Sequence, residues 1–161
     1  MSDRGAPEHG SAARPRSALV LHGPNLNLLG TREPSVYGTA TLADIDASLV
    51  ARGRELGLTV ECAQSNHEGE LIDRLHAARG VHGGVIINPG GYTHTSVAIH
   101  DAIRAIELPV IEVHLSNTSA REEFRRRSIT GAACVGRVEG FGRDGYVMAL
   151  EQLARMLLAP P

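Results

Sequence analysis

Lysine and tryptophan are absent from the 161-residue sequence, and other aromatic side chains are few. Without lysine, the chain cannot build a Walker-type phosphate loop, hold pyridoxal phosphate through an imine or use a lysine Schiff base. Three tyrosines and two phenylalanines offer little surface for stacking the bases of single-stranded nucleic acid. The formal net charge of −2 argues against non-specific binding to a polyanion. These absences exclude lysine-based covalent chemistry and disfavour nucleic-acid binding.

Cysteines and long apolar runs are also scarce. Cys62 and Cys134 lie in strand-like segments without the spacing of metal ligands, so we interpret them as small buried side chains in a reducing compartment. The first 17 residues are polar and rich in Ala, Pro, Gly and Arg, and no segment reaches transmembrane length. We therefore expect residues 1–17 to be a flexible tail, neither signal peptide nor anchor, on a cytoplasmic protein with one domain, residues 18–161.

Short apolar runs alternate with helical patterns along this domain. The runs suit strands covered on both faces, and they occur at residues 18–22, 58–62, 84–88 and 109–115, with a weaker fifth at 132–136. Leu and Ile at helical spacing predict helices between and after them. Thr41 and Ser119 each precede an acidic residue by three positions, which predicts a capped helix start at both. The pattern predicts an α/β fold, a flavodoxin-like three-layer α/β/α sandwich with a five-stranded parallel sheet.

Ligands of such sheets bind at the carboxyl ends of the strands, near the point where the strand order reverses. The loop after the first strand has about 18 residues, far more than ordinary strand-to-helix loops, which indicates a lid or binding loop. It contains Asn25, Asn27, Arg32 and Tyr37. An ordinary surface loop is the alternative. Residues 64–70, after the second strand, are interpreted mainly as caps and turns of the next helix.

The third strand is followed by Asn-Pro-Gly-Gly-Tyr-Thr-His-Thr-Ser, residues 88–96. The two glycines would let backbone amides approach a ligand at a helix start, beside His94 and three hydroxyl groups. Such a start is an anion site that suits a carboxylate or phosphate. The alternative is that Thr95 or Ser96 simply caps the helix, and a cap and an anion site can coexist.

Glu112 and His114 are two residues apart on the fourth strand, so they point to the same face. Burying both is costly unless they are paired or functional. Arg121 and Arg125 follow four residues apart, which on a helix would place both on one face to hold an acid group. No nucleophile elbow and no GxGxxG loop after the first strand is present. This inventory suits proton transfers on a small polyhydroxy acid without a cofactor.

Four segments of the chain resemble the type II 3-dehydroquinate dehydratases of the shikimate pathway. They are GPNLNLLGTREPSVYG, QSNHEGELID, INPGGYTHTSVAIHDA and IEVHLSNTSAREEFR, in the family's order and spacing between about Ala18 and Leu153. The resemblance implies a lyase that dehydrates 3-dehydroquinate to 3-dehydroshikimate by anti elimination through an enolate, on the route to chorismate and the aromatic amino acids. It also implies no metal or cofactor and a homododecamer built from trimers. The missing lysines agree, because the unrelated type I enzyme works through a lysine imine.

The resemblance also implies roles for particular residues. Tyr37 would remove the proton beside the substrate ketone, with the charge of Arg32 stabilising its phenolate. Asn25 would hold a water that stabilises the enolate. His114, oriented and charged by Glu112, would protonate the departing hydroxyl. The implied substrate ligands, with Leu115 acting through its backbone and Asp101 reaching in from a neighbouring subunit, are Asn88, His94, Asp101, Leu115, Ser116 and Arg125.

Five positions depart from the family pattern, none of them catalytic; they are His22, Ala63, Ser119, Arg127 and Ile129. His22, for example, stands where an asparagine usually precedes Gly-Pro-Asn.

Two other functions stay open from the residues themselves. One is a flavodoxin-like binding module for a small anionic or phosphorylated ligand held at residues 90–96. The other is a metal hydrolase using His94, Glu112 and His114, although their spacing is not a known ligand pattern.

Overall fold

A computed structural model describes residues 14–31, Ser35 and residues 39–159. Within them, five parallel strands alternate with α-helices. The strands are β1 (Ser17–His22), β2 (Thr59–Gln64), β3 (Gly84–Asn88), β4 (Val110–His114) and β5 (Gly136–Glu139). The helices are α1 (Leu42–Glu55), α2 (Glu68–Ala78), α3 (Val97–Ala105) and α4 (Asp144–Leu158). The sheet order β2-β1-β3-β4-β5 confirms the predicted flavodoxin-like α/β fold.

Helices cover both faces of the sheet, which is why the central strands are mostly apolar, with their buried polar residues Glu112, His22, Asn88 and His114 at or near the carboxyl ends. Side chains alternate along β1, so that Ala18 and Val20 pack with α1 and α4, whereas Leu19 and Leu21 pack with α2 and α3. Tyr146 of α4 is the largest fully buried side chain of the described residues. Two apolar cores therefore sandwich the sheet.

The two predicted helix caps have different outcomes. Thr41 begins α1 as predicted, since its hydroxyl accepts from the Asp44 N–H while the Asp44 carboxylate accepts from the Thr41 N–H. The prediction at Ser119 is wrong, because Thr118–Ala120 is a single 3-10 turn capped by Asn117. No α-helix carries Arg121 and Arg125 either; Glu123–Arg125 is another short 3-10 turn. This segment has no apolar stripe to bury, so nothing stabilises a longer helix.

The fifth strand lies further along the chain than predicted. Residues Thr130–Ala133 form a 3-10 turn, and only Gly136 of the predicted run 132–136 belongs to β5. Ala133 and Cys134 instead pack against the core under α2 and α3, which accounts for their apolar character. The strand itself reads Gly-Arg-Val-Glu at the sheet edge, so it carries little apolar signal.

The first strand begins one residue before its predicted start at residue 18. β1 begins at Ser17, whose hydroxyl lies 2.6 Å from the His82 Nδ1. The predicted tail, residues 1–17, extends too far by two residues, because the carbonyl oxygens of Arg16 and Ser17 accept from the N–H groups of Thr59 and Gly83. Residues 1–13 lie outside the described residues, so a flexible tail there stays a prediction. No helix in the described part of the chain has the length and apolar character needed to cross a bilayer.

β1 and β3 lie side by side in the sheet, and the chain leaves them toward opposite edges. A crevice forms where two neighbouring connections diverge in this way. The loops after β1, β3 and β4 meet above it.

Candidate active site

A cavity of about 160 Å³ opens at this carboxyl edge of the sheet. Its walls come from the loops after β1, β3 and β4. The structure brings together seven of the predicted site residues there: Asn25, Asn88, His94, His114, Leu115, Ser116 and Arg125. The cavity occupies the position that the strand order predicts.

Four predicted site residues are not part of this wall. Arg32 and Tyr37 lie outside the described residues. Glu112 is fully buried directly behind His114. Asp101 lies on α3 with its side chain 72% exposed, beside His100.

Close contact between two loops shapes the cavity floor. The Gly23 N–H donates to the Asn88 carbonyl oxygen at 2.7 Å, and a Cβ at Gly23 would lie 2.6 Å from the Pro89 carbonyl. Gly90 has a φ of +58°, and a Cβ there would lie 3.0 Å from the Pro24 carbonyl oxygen. Both contacts require glycine, because any other side chain would push the loops apart.

Asn25 follows Gly23 and Pro24 and precedes the 3-10 turn Leu26–Leu28. Its φ of 68° is left-handed, a conformation that asparagine tolerates better than most residues. Its backbone N–H donates to the Asn66 Oδ1 at 3.0 Å. Asn66 therefore acts structurally, as predicted for residues 64–70, and so does Ser65, whose hydroxyl accepts from the His67 N–H.

His114 and Glu112 form a buried pair, as their spacing on one strand face predicts. The His114 Nε2 lies 2.7 Å from the Glu112 Oε1, and His114 is only 6% exposed. With Nε2 committed to the carboxylate, Nδ1 is the ring nitrogen left for a ligand. Glu112 therefore fixes the orientation of the ring.

Hydroxyl groups from three distant positions surround the Glu112 carboxylate. The hydroxyls of Thr93 and Ser128 each lie 2.8 Å from Oε1, and Thr130 donates to Oε2. The Arg137 Nε lies 3.4 Å from the same group. We call Thr93, Ser128 and Thr130 the hydroxyl cage.

These contacts decide the charge of Glu112. Burial by itself would raise its pKa, but the hydrogen bond and positive charge of His114, with the hydroxyls of Thr130 and Ser128, outweigh burial and hold the pKa below its usual value. Glu112 is therefore an anion at neutral pH. Of these three hydroxyl residues, only Thr93 belongs to a segment that the sequence marks as a candidate site, residues 88–96. Ser128 and Thr130 are brought to Glu112 by the folding of the chain.

Two arginines also line the cavity. Arg121 and Arg125 both contribute to the wall, although no helix aligns them. The Arg125 guanidinium lies over the Phe124 ring at 4.8 Å, and its Nε donates to Glu122 at 3.0 Å. These contacts hold a planar guanidinium at the cavity mouth, where it can bind a carboxylate.

His94 is also oriented. Its Nδ1 lies 2.8 Å from the Arg127 carbonyl oxygen, which can only accept, so Nδ1 carries the proton and Nε2 remains for a ligand. His94 is the last residue of the 3-10 turn Gly90–His94, which precedes α3. Ser96 caps α3, because its hydroxyl accepts from the Ile99 N–H. The capping alternative is therefore realised. The Gly90 N–H is already used by the Asn88 Oδ1, which does not favour a phosphate cradle here.

The alternative metal set of His94, Glu112 and His114 does not form a ligand group. Within the described ranges, one group does bring ligand atoms within 4.8 Å of one another: His22, Asp46 and Cys62. His22 and Asp46 are hydrogen-bonded to each other at 2.8 Å. Burial, with nearby Asp46, raises the pKa of the Cys62 thiol to about 12, which opposes the thiolate that a metal needs.

Sequence and structure comparisons place the chain among proteins of one kind. Residues 16–154 match the family described as Dehydroquinase class II. A 3-dehydroquinate dehydratase of Ruegeria pomeroyi is 57% identical over 141 residues, which cover 88% of this chain and 95% of the relative. One of Corynebacterium glutamicum is 56% identical over 142 residues, covering 88% and 98%. The crystal structure of a type II dehydroquinase from Propionibacterium acnes has a TM-score of 0.84 at 45% identity, covering 89% of this chain and 99% of that chain.

Proposed function

The chain belongs to the class II dehydroquinase family, and we propose that the family's reaction takes place in the cavity lined by His114. The chain dehydrates 3-dehydroquinate to 3-dehydroshikimate in the shikimate pathway. One observation carries this placement: a buried imidazole, oriented by a buried carboxylate, lines the same cavity as two arginine side chains.

The reaction removes a proton from the carbon beside the ketone and a hydroxyl from the next carbon, leaving a conjugated enone and water. We assign the first step to Tyr37, with Arg32 stabilising its phenolate. The loop that carries them leaves the cavity wall at Leu29 and returns at Thr39, which lines a neighbouring depression with Ser116. Both loop ends therefore support a position of Tyr37 near the substrate.

His114 is assigned the second proton transfer. In its protonated form, the Nδ1–H points toward the cavity and can be given to the departing hydroxyl, while Nε2–H stays on Glu112. The negative charge of Glu112 stabilises the imidazolium before the transfer. After the transfer the imidazole is neutral and keeps the same hydrogen bond.

The remaining wall residues bind and polarise the substrate. Asn25 holds the water that stabilises the enolate. Arg125 binds the substrate carboxylate, with Ser116 and the Leu115 backbone beside it, and Asn88 and His94 bind substrate from the β3 side. Leu115 is held in place because its carbonyl oxygen accepts from the Gly142 N–H at 2.9 Å.

The proposed assembly is a homododecamer built from trimers, working in the cytoplasm. Asp101 is exposed and away from its own cavity, which supports a role in a neighbouring subunit's site. Mixing inactive Asp101→Ala and His114→Ala proteins under subunit exchange tests this role. Recovery of activity supports it, because a hybrid site then combines both native residues; no recovery in proven hybrids contradicts it.

The function is tested by adding the purified chain to 3-dehydroquinate with a chelator present and following the ultraviolet absorbance of the enone. We expect a rise in absorbance that His114→Ala reduces at least a hundredfold. His76→Ala, which removes an exposed histidine of α2, is the matched control and should keep full activity. Equal rates for the two variants would contradict the placement of the site at His114.

A further inference from the structure

A chain of hydrogen bonds runs from the surface of α1 through the core to the cavity wall. The Asp46 Oδ1 lies 2.8 Å from the His22 Nε2, and the His22 Nδ1 lies 3.0 Å from the Tyr146 Oη. The Tyr146 Oη in turn lies 3.0 Å from the Asn88 Nδ2. His22 and Tyr146 are fully buried, whereas the Asp46 side chain is 32% exposed.

The direction of this chain follows from which atoms can donate. A carboxylate oxygen of Asp46 accepts from the His22 Nε2–H, and in an imidazole ring that carries this one proton, Nδ1 is an acceptor. The hydroxyl of Tyr146 therefore donates to Nδ1, and its oxygen is left to accept. Burial raises the pKa of Tyr146, so this hydroxyl keeps its proton. The group that donates to it is the Asn88 Nδ2–H.

The hydrogen bond at the Asn88 amide oxygen requires the same orientation of the amide. The Gly90 N–H donates to the Asn88 Oδ1 at 3.1 Å, and a backbone N–H cannot accept. In a flipped amide, the Asn88 N–H would face the Gly90 N–H, so that two donors meet. The Asn88 oxygen would face the Tyr146 oxygen, so that two acceptors meet. The orientation is thus fixed from both ends, and the second Nδ2–H of Asn88 is the donor left for the cavity.

We propose that Tyr146, His22 and Asp46 are positioning residues for the dehydration, which act by holding the Asn88 amide with an N–H toward the substrate. This inference rests on the proposed role of Asn88 in binding substrate. The surrounding core is apolar, and a phenylalanine at 146 could fill the same space, so packing does not account for the hydroxyl.

The test measures KM and kcat for Tyr146→Phe, Asn88→Ala and the double variant, with unfolding in urea measured alongside. Tyr146→Phe removes two hydrogen bonds, of which only the one to Asn88 acts on the cavity. Loss of that one bond corresponds to about fivefold in a binding constant, so we expect KM to rise about fivefold with kcat within about twofold. In the Asn88→Ala background, the same substitution should change KM less than about twofold, because its effect passes through Asn88.

Ser17→Ala is the matched control, since it removes a partly buried hydrogen bond to His82 at the opposite end of β1. It should lower stability and leave KM unchanged. Asp46→Ala is the second variant, because this exposed end of the chain tolerates substitution; it should raise KM about twofold, again only when Asn88 is present. If Tyr146→Phe does not fold, Asp46→Ala decides the matter.

Two results would overturn the proposal. One is an equal rise in KM from Tyr146→Phe with and without Asn88, which would mean that the hydroxyl acts through general stability. The other is Asn88→Ala with unchanged KM and kcat, which would remove Asn88 from the site. The assay of His114→Ala tests the proposed function independently of Asn88, so failure of this inference and failure of the proposed function can be distinguished.

Discussion

Replacing Glu112 with glutamine removes the negative charge that faces the His114 imidazole while keeping the shape of the side chain. The carboxylate is fully buried and accepts from His114 and from the hydroxyl cage. Glutamine retains one acceptor oxygen and adds an NH₂ group that only donates. The His114 ring loses its buried, negatively charged partner, and at least one donor of the cage loses its acceptor.

The expected loss of activity follows from the strength of a charged hydrogen bond. Such a bond is worth about 1.5–3 kcal/mol, and a tenfold change in rate corresponds to about 1.36 kcal/mol. Glu112→Gln should therefore lower kcat about 10- to 150-fold, measured from the rate of enone formation. KM should change little, because Glu112 does not line the cavity.

The same substitution has a pH signature in stability. Because the folded-state pKa of Glu112 lies below its usual value, the ionised carboxylate stabilises the native chain above the unfolded-state pKa, about 4.3. This stabilisation is lost as the pH falls through the lower, folded-state value. Urea unfolding should thus show a deficit of about 1–3 kcal/mol for Glu112→Gln at pH 7, which shrinks below about pH 4.

Glu139→Gln is the matched control for both measurements. Glu139 also ends the neighbouring strand β5, and it accepts hydrogen bonds from Arg137, at 2.9 Å, and from Thr118 and Ser119. It makes no hydrogen bond to His114, so its charge acts on that ring only through space. Its kcat should stay within about twofold of the unsubstituted protein. A Glu112→Gln variant with the same kcat as this control would refute the role of Glu112 in charging His114.

Three further outcomes are expected. Tyr37→Phe should nearly abolish turnover while substrate still binds in a calorimeter, whereas Tyr92→Phe should keep turnover within about twofold; an active Tyr37→Phe removes Tyr37 as the base. Gly90→Ala should cost about 1–2 kcal/mol in urea unfolding, because φ is +58° and the added methyl meets a backbone oxygen at 3.0 Å; an unchanged midpoint contradicts this. Burial raises the pKa of both Cys62 and Cys134 to about 12, so a thiol reagent at pH 8 should label the native chain far more slowly than the urea-unfolded chain.

The strands and the Glu112–His114 pair could be predicted from sequence because both depend on local patterns. Continuous apolar runs mark β1, β3 and β4, whose side chains are buried on both faces. The period of two in a strand places Glu112 and His114 on one face whatever the rest of the chain does. The order of the strands then locates the cavity.

The hydroxyl cage and β5 could not be predicted in this way. Ser128 and Thr130 bind Glu112 across 16 and 18 residues of sequence, inside turns with no regular period. β5 is an edge strand with a single apolar residue, Val138, so its position depends on pairing with β4 rather than on its own composition. The roles of Arg32 and Tyr37 stay predictions, since both residues lie outside the described part of the chain.

One arrangement recurs at the carboxyl edge of the sheet. β3 and β4 each end in a buried polar side chain, Asn88 and His114, which a second buried polar group holds by a hydrogen bond. Tyr146 takes one N–H of Asn88, and Glu112 takes one nitrogen of His114, so that each side chain keeps a single atom for the cavity. Buried polar groups need such partners in any fold. Here the same partners determine which atom faces the cavity, so the hydrogen bonds that the core requires also orient the side chains at this edge of the sheet.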